Sequence, residues 1–210
     1  MQSPPFYANR MDDMSCMLAC LRSALEHFTG KQYGWEELEK LTGFQSGKAA
    51  WTVKIWAYLA THGFDVRMIE GFDYNRYQTE GKEYLRTFLK PMELQWQLDH
   101  TNLLEVAPLL PTFLKSVYQE IRSPLLKDID KMLDDNYLVT VQLNSRKLNG
   151  EKGYVAHMIL VYDRQGDYYI AHDPGLPAHE ARRIPARLLL DAMGGEHNTV
   201  EVTGLKLKHA

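Results

Sequence analysis

From Cys16 to Phe28 the apolar residues Met17, Leu18, Leu21, Ala24, Leu25 and Phe28 recur at three- and four-residue spacing, and Gly30 ends the pattern. That spacing predicts an amphipathic helix, and Ser15, a good cap, places Cys16 in its first turn. A short helix follows at Trp35–Leu41. Another is expected from about Trp51 to Thr61, with Trp51, Ile55, Trp56 and Leu59 inward and Gly63 just past its end. Phe64–Ile69 alternates as a short strand does. Ahead of all this, Ser3-Pro4-Pro5 argues for an irregular lead-in over residues 1–12.

Residues 72–136 change character. Amphipathic pieces at Tyr84–Leu89, Leu94–Leu104, Phe113–Ile121 and Leu125–Leu133 are punctuated by Pro91, Pro108, Pro111 and Pro124. This stretch reads as a helical insertion or cap within a single domain spanning 1–210. From Tyr137 the period becomes two. Tyr137–Leu143, Tyr154–Tyr162, Tyr168–His172 and Thr199–Leu207 read as strands, with a hairpin turn at Asp163–Gly166 and a helix at about Ala186–Ala192. A helical N-terminal part followed by an antiparallel sheet is an α+β architecture.

Composition narrows the classes of partner. The 210 residues are 45% hydrophobic and 24% charged, ordinary for an enzyme-sized domain, and the formal charge of −3 offers no basic field for nucleic acid. Arg182-Arg183 reads as solvated surface. Cys16 and Cys20, four apart on one helix, are no disulfide framework, and both are expected reduced. The first twenty residues lack the apolar core of a signal peptide, and no run approaches a membrane span. A cytoplasmic protein is the expectation, with no membrane partner.

Candidate chemistry lies in three places. Cysteine nucleophiles act as thiolates, and a helix N-terminus favours the thiolate; Cys16 is better placed for this than Cys20, which reads as a small core hydrophobe. His157 sits in Val155-Ala-His-Met-Ile-Leu-Val161, and Asp173 in Tyr169-Ile-Ala-His-Asp173-Pro174-Gly175. Taken singly, His157 would be a satisfied core histidine and Asp173 a turn-initiating residue. Two neighbouring antiparallel strands, however, set the pair side by side. Asp173 could then accept the imidazole Nδ1–H and leave Nε2 for a thiol. His172 points to the opposite face and stands outside the set. A zinc site from Cys16, Cys20, His157 and His172 is disfavoured by that alternation and by the Cys spacing. No metal or cofactor is implied, and His27, His62, His100, His179, His197 and His209 have no usable spacing.

The run Asp13-Met-Ser-Cys16-Met-Leu-Ala-Cys20-Leu21, then Phe28-Thr-Gly30 and Glu36-Glu-Leu38, resembles the opening of the C39-like peptidases of the papain-like superfamily. Gly47–Val66 resembles the family's next helix and strand. The strand carrying His157 and the Asp173-Pro174-Gly175 strand end look like its catalytic pair. The resemblance covers residues 10–70 and 137–193. It implies a papain-like fold and a cysteine hydrolase working on an amide or thioester of a peptide or acyl substrate. Cys16 would be the nucleophile, His157 the base and Asp173 its orienter. Acyl transfer, deamidation or inert peptide binding would use the same cleft. The family's oxyanion Gln, six residues before the nucleophile, is here Arg10, preceded by Asn9; either could take its place. Met17 stands where the family has Gly.

Overall fold

The computed structural model describes residues 2–11, 15–194 and 200–208. Its elements, in chain order, are α1 Cys16–Thr29, α2 Trp35–Thr42, α3 Val53–Thr61, β1 Phe64–Glu70, α4 Tyr74–Glu80, α5 Lys82–Phe88, α6 Pro91–His100, α7 Leu103–Val106, α8 Leu110–Ser116, β2 Tyr118–Ile121 and α9 Leu126–Asp134. The second half adds β3 Leu138–Asn144, α10 Ser145–Leu148, β4 Ala156–Gln165, β5 Tyr168–Asp173, β6 His179–Pro185, α11 Ala186–Met193 and β7 Val202–Leu207. The strands form one seven-stranded sheet in the order β2-β1-β7-β3-β4-β5-β6. All neighbours are antiparallel except β1 and β2.

Alternation along the central strands divides the core in two. Leu138, Met158, Leu160, Tyr162, Ile170 and Leu205 join α1, α3 and the helices after β1 on one face. Val139, Val141, Ile159, Val161, Ala171 and Val202 pack with residues of α9 and α11 on the other. Strands buried on both faces read as near-continuous apolar runs, which is why β3 and β4 stand out in the sequence. Helix α1 ends as its pattern predicts: Gly30 at φ 68 takes the left-handed position and donates its N–H to the Glu26 carbonyl.

Three sequence expectations are corrected. Phe113–Ile121 is not one helix: α8 ends at Ser116, and Tyr118–Ile121 leaves as β2, paired in parallel with β1. A four-residue edge strand with only partial burial has too short a pattern to read. The segment 72–136 serves both faces of the sheet: Phe72, Tyr74, Tyr77 and Phe113 build an aromatic cluster on the face that α3 covers, while α9 packs under β3 and β4 and its Asp130 accepts from the Tyr169 hydroxyl of β5. The β4–β5 hairpin turns at Gly166 (φ 61) and Asp167, because β4 runs on to Gln165. Strand β6 was not expected at all; its pattern is charged and mostly exposed. Asp12, Asp13, His197, Thr199 and His209 lie outside the described residues.

Candidate active site

Cys16 opens α1 as its first residue and is partly exposed, while Cys20, one turn on, is buried; both are free thiols. The Cys20 thiol donates to the Met158 carbonyl at 3.4 Å, which seats α1 on β4. One helical turn back along α1, about 5.4 Å, lies Cys16, and one residue back along β4 from Met158 lies His157. His157 is the second residue of β4, at the sheet's end; its ring bonds Asp173 and lies close enough to Cys16 for the sulfur to bear on its protonation.

The Leu160–His172 register of β4 and β5, continued one step, sets Asp173 opposite Ile159 and therefore diagonal to His157 on the same face. His157 Nε2 lies 2.7 Å from Asp173 Oδ1. The expected assignment of ring nitrogens is thus reversed. Nε2 faces the carboxylate, and Nδ1 is the nitrogen left for the thiol. Strand position cannot reveal this, because which nitrogen meets the carboxylate is set by the χ1 and χ2 rotamers, which change without moving the backbone.

Both members of the pair are buried, at 7% and 4% exposure. Burial by itself would lower the imidazole pKa, but the hydrogen bond to Asp173, the Cys16 sulfur and the nearby negative charge outweigh it, so that it is raised to about 10. Burial would likewise raise Asp173, yet the bond to His157 and its charge, with Arg182 and the Gly175 N–H, hold it at about 2. The ground state at neutral pH is an imidazolium against a carboxylate.

Sequence reasoning missed Arg182. It is not solvated surface: its Nη1 donates to Asp173 Oδ2 at 2.6 Å and its Nη2 to the Leu148 carbonyl at 3.0 Å. The signal was hidden because β6 itself was not legible. Arg183, its neighbour, lies over the Tyr168 ring, 4.4 Å from the centroid. His172 takes the opposite face, as alternation requires. Its Nε2 donates to the Pro4 carbonyl (2.8 Å) and its Nδ1 accepts from Ala181 N–H (3.2 Å), a neutral tautomer whose pKa burial lowers.

Arg10 and Asn9 part company. The Arg10 guanidinium donates through Nε to Ser15 Oγ (2.9 Å) and through Nη1 to Glu39 (2.7 Å), between the rings of Trp35 and Phe44. Asn9 is buried. Its Oδ1 accepts from the N–H of Ser15 (2.8 Å) and of Arg10 (3.0 Å), and its own N–H donates to the Pro174 carbonyl (2.7 Å). It therefore touches both the residue before Cys16 and the residue after Asp173. Ser15 makes no side-chain cap for α1; its hydroxyl serves Arg10 instead.

No protein-family model matches the chain, and no curated protein matches it. Among solved structures it is similar to the peptidase domain of Streptococcus ComA, a bi-functional ABC transporter involved in a quorum-sensing pathway. The two share 15% identity over 97% of this chain and 98% of that one, with a TM-score of 0.50. The fold is that of a C39 papain-like peptidase domain. Among the described residues no helix is long and apolar enough to cross a membrane.

Proposed function

We propose that the chain is a cysteine-dependent hydrolase that cleaves an amide or thioester through an acyl-enzyme, as a C39-like peptidase does. The observation that carries this reading is the 2.7 Å contact of His157 Nε2 with Asp173 Oδ1, made by a ring whose protonation feels Cys16 at the head of α1. Cys16 Sγ, as thiolate, attacks the carbonyl carbon and forms a C–S bond while the carbonyl π pair moves to oxygen. That oxyanion is met by the Cys16 N–H, which has no intrahelical acceptor at a helix start. The second donor is assigned to Asn9, whose side chain sits against the residue before Cys16. On collapse, imidazolium Nδ1–H protonates the departing amine or thiol. Water then attacks the thioester, His157 takes its proton, and the acid leaves as Cys16 is restored. Transfer of the acyl group to an amine or alcohol, or deamidation, would use the same residues, and the product distinguishes them.

The test is alkylation of the intact protein by iodoacetamide, followed by peptide mass, alongside turnover of fluorogenic peptide amides and acyl thioesters. Cys16 should react far faster than Cys20 below pH 8, and Cys16→Ala should abolish turnover. Equal labelling of the two cysteines, or labelling of neither, would leave only a peptide-binding member of the fold.

A further inference from the structure

Asp173 is held from two sides, and only one of them is His157. Its Oδ1 accepts from His157 Nε2 and from the Gly175 N–H (3.1 Å), while Oδ2 faces Arg182 Nη1 at 2.6 Å. We propose that Arg182 is a positioning residue for this site: its fork, fixed at Leu148, clamps the Asp173 carboxylate so that Oδ1 is presented to His157.

The fold explains how a residue on the outermost strand reaches the site. Arg182 pairs with Ala171 in the β5–β6 register and so shares a face with Ala171 and Asp173. Ala171 is too small to obstruct the arginine stem, which runs along the strand to the carboxylate two residues on. Between Ala171 and Asp173 the register shifts by one residue, so Asp173 faces His179 instead. Ala181 occupies that irregularity at φ 50, a left-handed conformation unusual for a residue with a side chain, and its N–H is captured by His172 Nδ1. Bulges next to active sites commonly re-aim a side chain, and this one fixes where Arg182 enters. The second arm of the fork, on the Leu148 carbonyl, makes the geometry that of a planar two-point donor, which lysine cannot reproduce fully.

A clamp of this kind also has an electrostatic consequence. With Arg182 opposite, the carboxylate remains ionised in a buried place, and its charge is partly neutralised before it reaches the imidazolium.

This inference rests on the proposed role of Asp173, so its test needs a readout that does not depend on turnover. The exchange rate of the His157 Nε2–H proton, observed by NMR in the full chain, reports directly whether Oδ1 is in place. In Arg182→Gln that proton should exchange at least about tenfold faster than in the parent, and Arg182→Lys should recover part of the protection. The Cys16 alkylation rate should fall about ten- to a hundredfold in Arg182→Gln at neutral pH. In an Asp173→Asn background the same substitution should have no further effect. Parental proton exchange and a parental alkylation profile in a folded Arg182→Gln would overturn the clamp. Should Arg182→Gln fail to fold, Arg182→Lys decides alone: Nε2–H exchange as slow as in the parent means the fork is dispensable. If parental Cys16 proves unreactive, the function proposed above fails, while the proton measurement still decides the role of Arg182.

Discussion

The backbone N–H of Asn9 donates to the carbonyl of Pro174 at 2.7 Å, which joins the chain just before Cys16 to the turn just after Asp173. Asn9→Asp should therefore separate its two duties. The remaining carboxylate can still accept from Ser15 N–H and Arg10 N–H, but no amide donor is left for an oxyanion. Turnover should fall by roughly two to three orders of magnitude, with the melting temperature little changed. Arg10→Ala should lower turnover far less, because its guanidinium is spent on Ser15 and Glu39 and a half-exposed pair of this sort contributes about 0–1 kcal/mol.

The His157–Asp173 pair sets a stability window. His157 is raised from 6.5 to about 10 in the folded chain, so its contribution is complete below its unfolded value and is lost as pH climbs toward about 10. Asp173 is depressed from 3.8 to about 2, so its contribution is present above the unfolded value and disappears as pH falls toward about 2. Thermal unfolding across pH should show the parent gaining most over Asp173→Asn between those two unfolded values. A constant difference from pH 2 to 10 would contradict the pairing.

His172, adjacent to Asp173, should act with the opposite sign to His157. Its folded pKa is lowered, so it stabilises above its ordinary value of 6.5 and opposes folding once protonated, when Nδ1 can no longer accept from Ala181. His172→Ala should also release the Pro4 carbonyl. The residues ahead of Asn9 should then become sensitive to limited proteolysis, with β6 loosened at its bulge.

A second buried carboxyl pair lies far from the thiol. The Ile69–Val202 register of β1 and β7, carried one step further, sets Glu70 opposite Glu201. Glu201 accepts from Thr52, Trp56 and Thr203, whereas Glu70 Oε1 is buried with no hydrogen-bond partner among the described residues. Burial and the facing Glu201 push Glu70 well above its usual range. Protonation thus favours the folded chain, and stability is lost as pH rises from the unfolded value through the folded one. Glu70→Gln, which cannot ionise, should stabilise the chain at pH 7 by about 1–3 kcal/mol in urea unfolding and should do little at pH 4. Destabilisation at both pH values would mean that Glu70 is a satisfied acceptor.

The sequence disclosed the parts of this molecule that are fixed by period and by punctuation. Helix α1 follows from six apolar positions and Gly30, and β4 and β5 from their apolar runs. That His157 and Asp173 share a face depends further on the bulge between Val161 and Asp163, which shifts the hairpin register by one residue and carries no signal in the sequence. What stayed hidden depends on partners distant in the chain. Strand β2 exists because β1 offers it an edge, β6 because β5 does, and neither carries an alternation of its own. Arg182 was unreadable for the same reason, since its meaning comes from facing Ala171. The ring orientation of His157 and the commitment of Arg10 to Glu39 are side-chain choices made only once the fold exists.

The Cys20–Met158 bond joins residues 138 apart in the chain. Contacts of such long range form late, because the loop between them must be closed first. On a ribosome, α1 emerges early with its thiol, but the histidine and its carboxylate follow only after most of the chain has been made. A chain interrupted between them would carry the thiol without the imidazole and carboxylate that pack beside it in the complete sheet. Long contact order here serves as a timer, since the Cys16 thiol meets its buried neighbours only after β4 and β5 have been made.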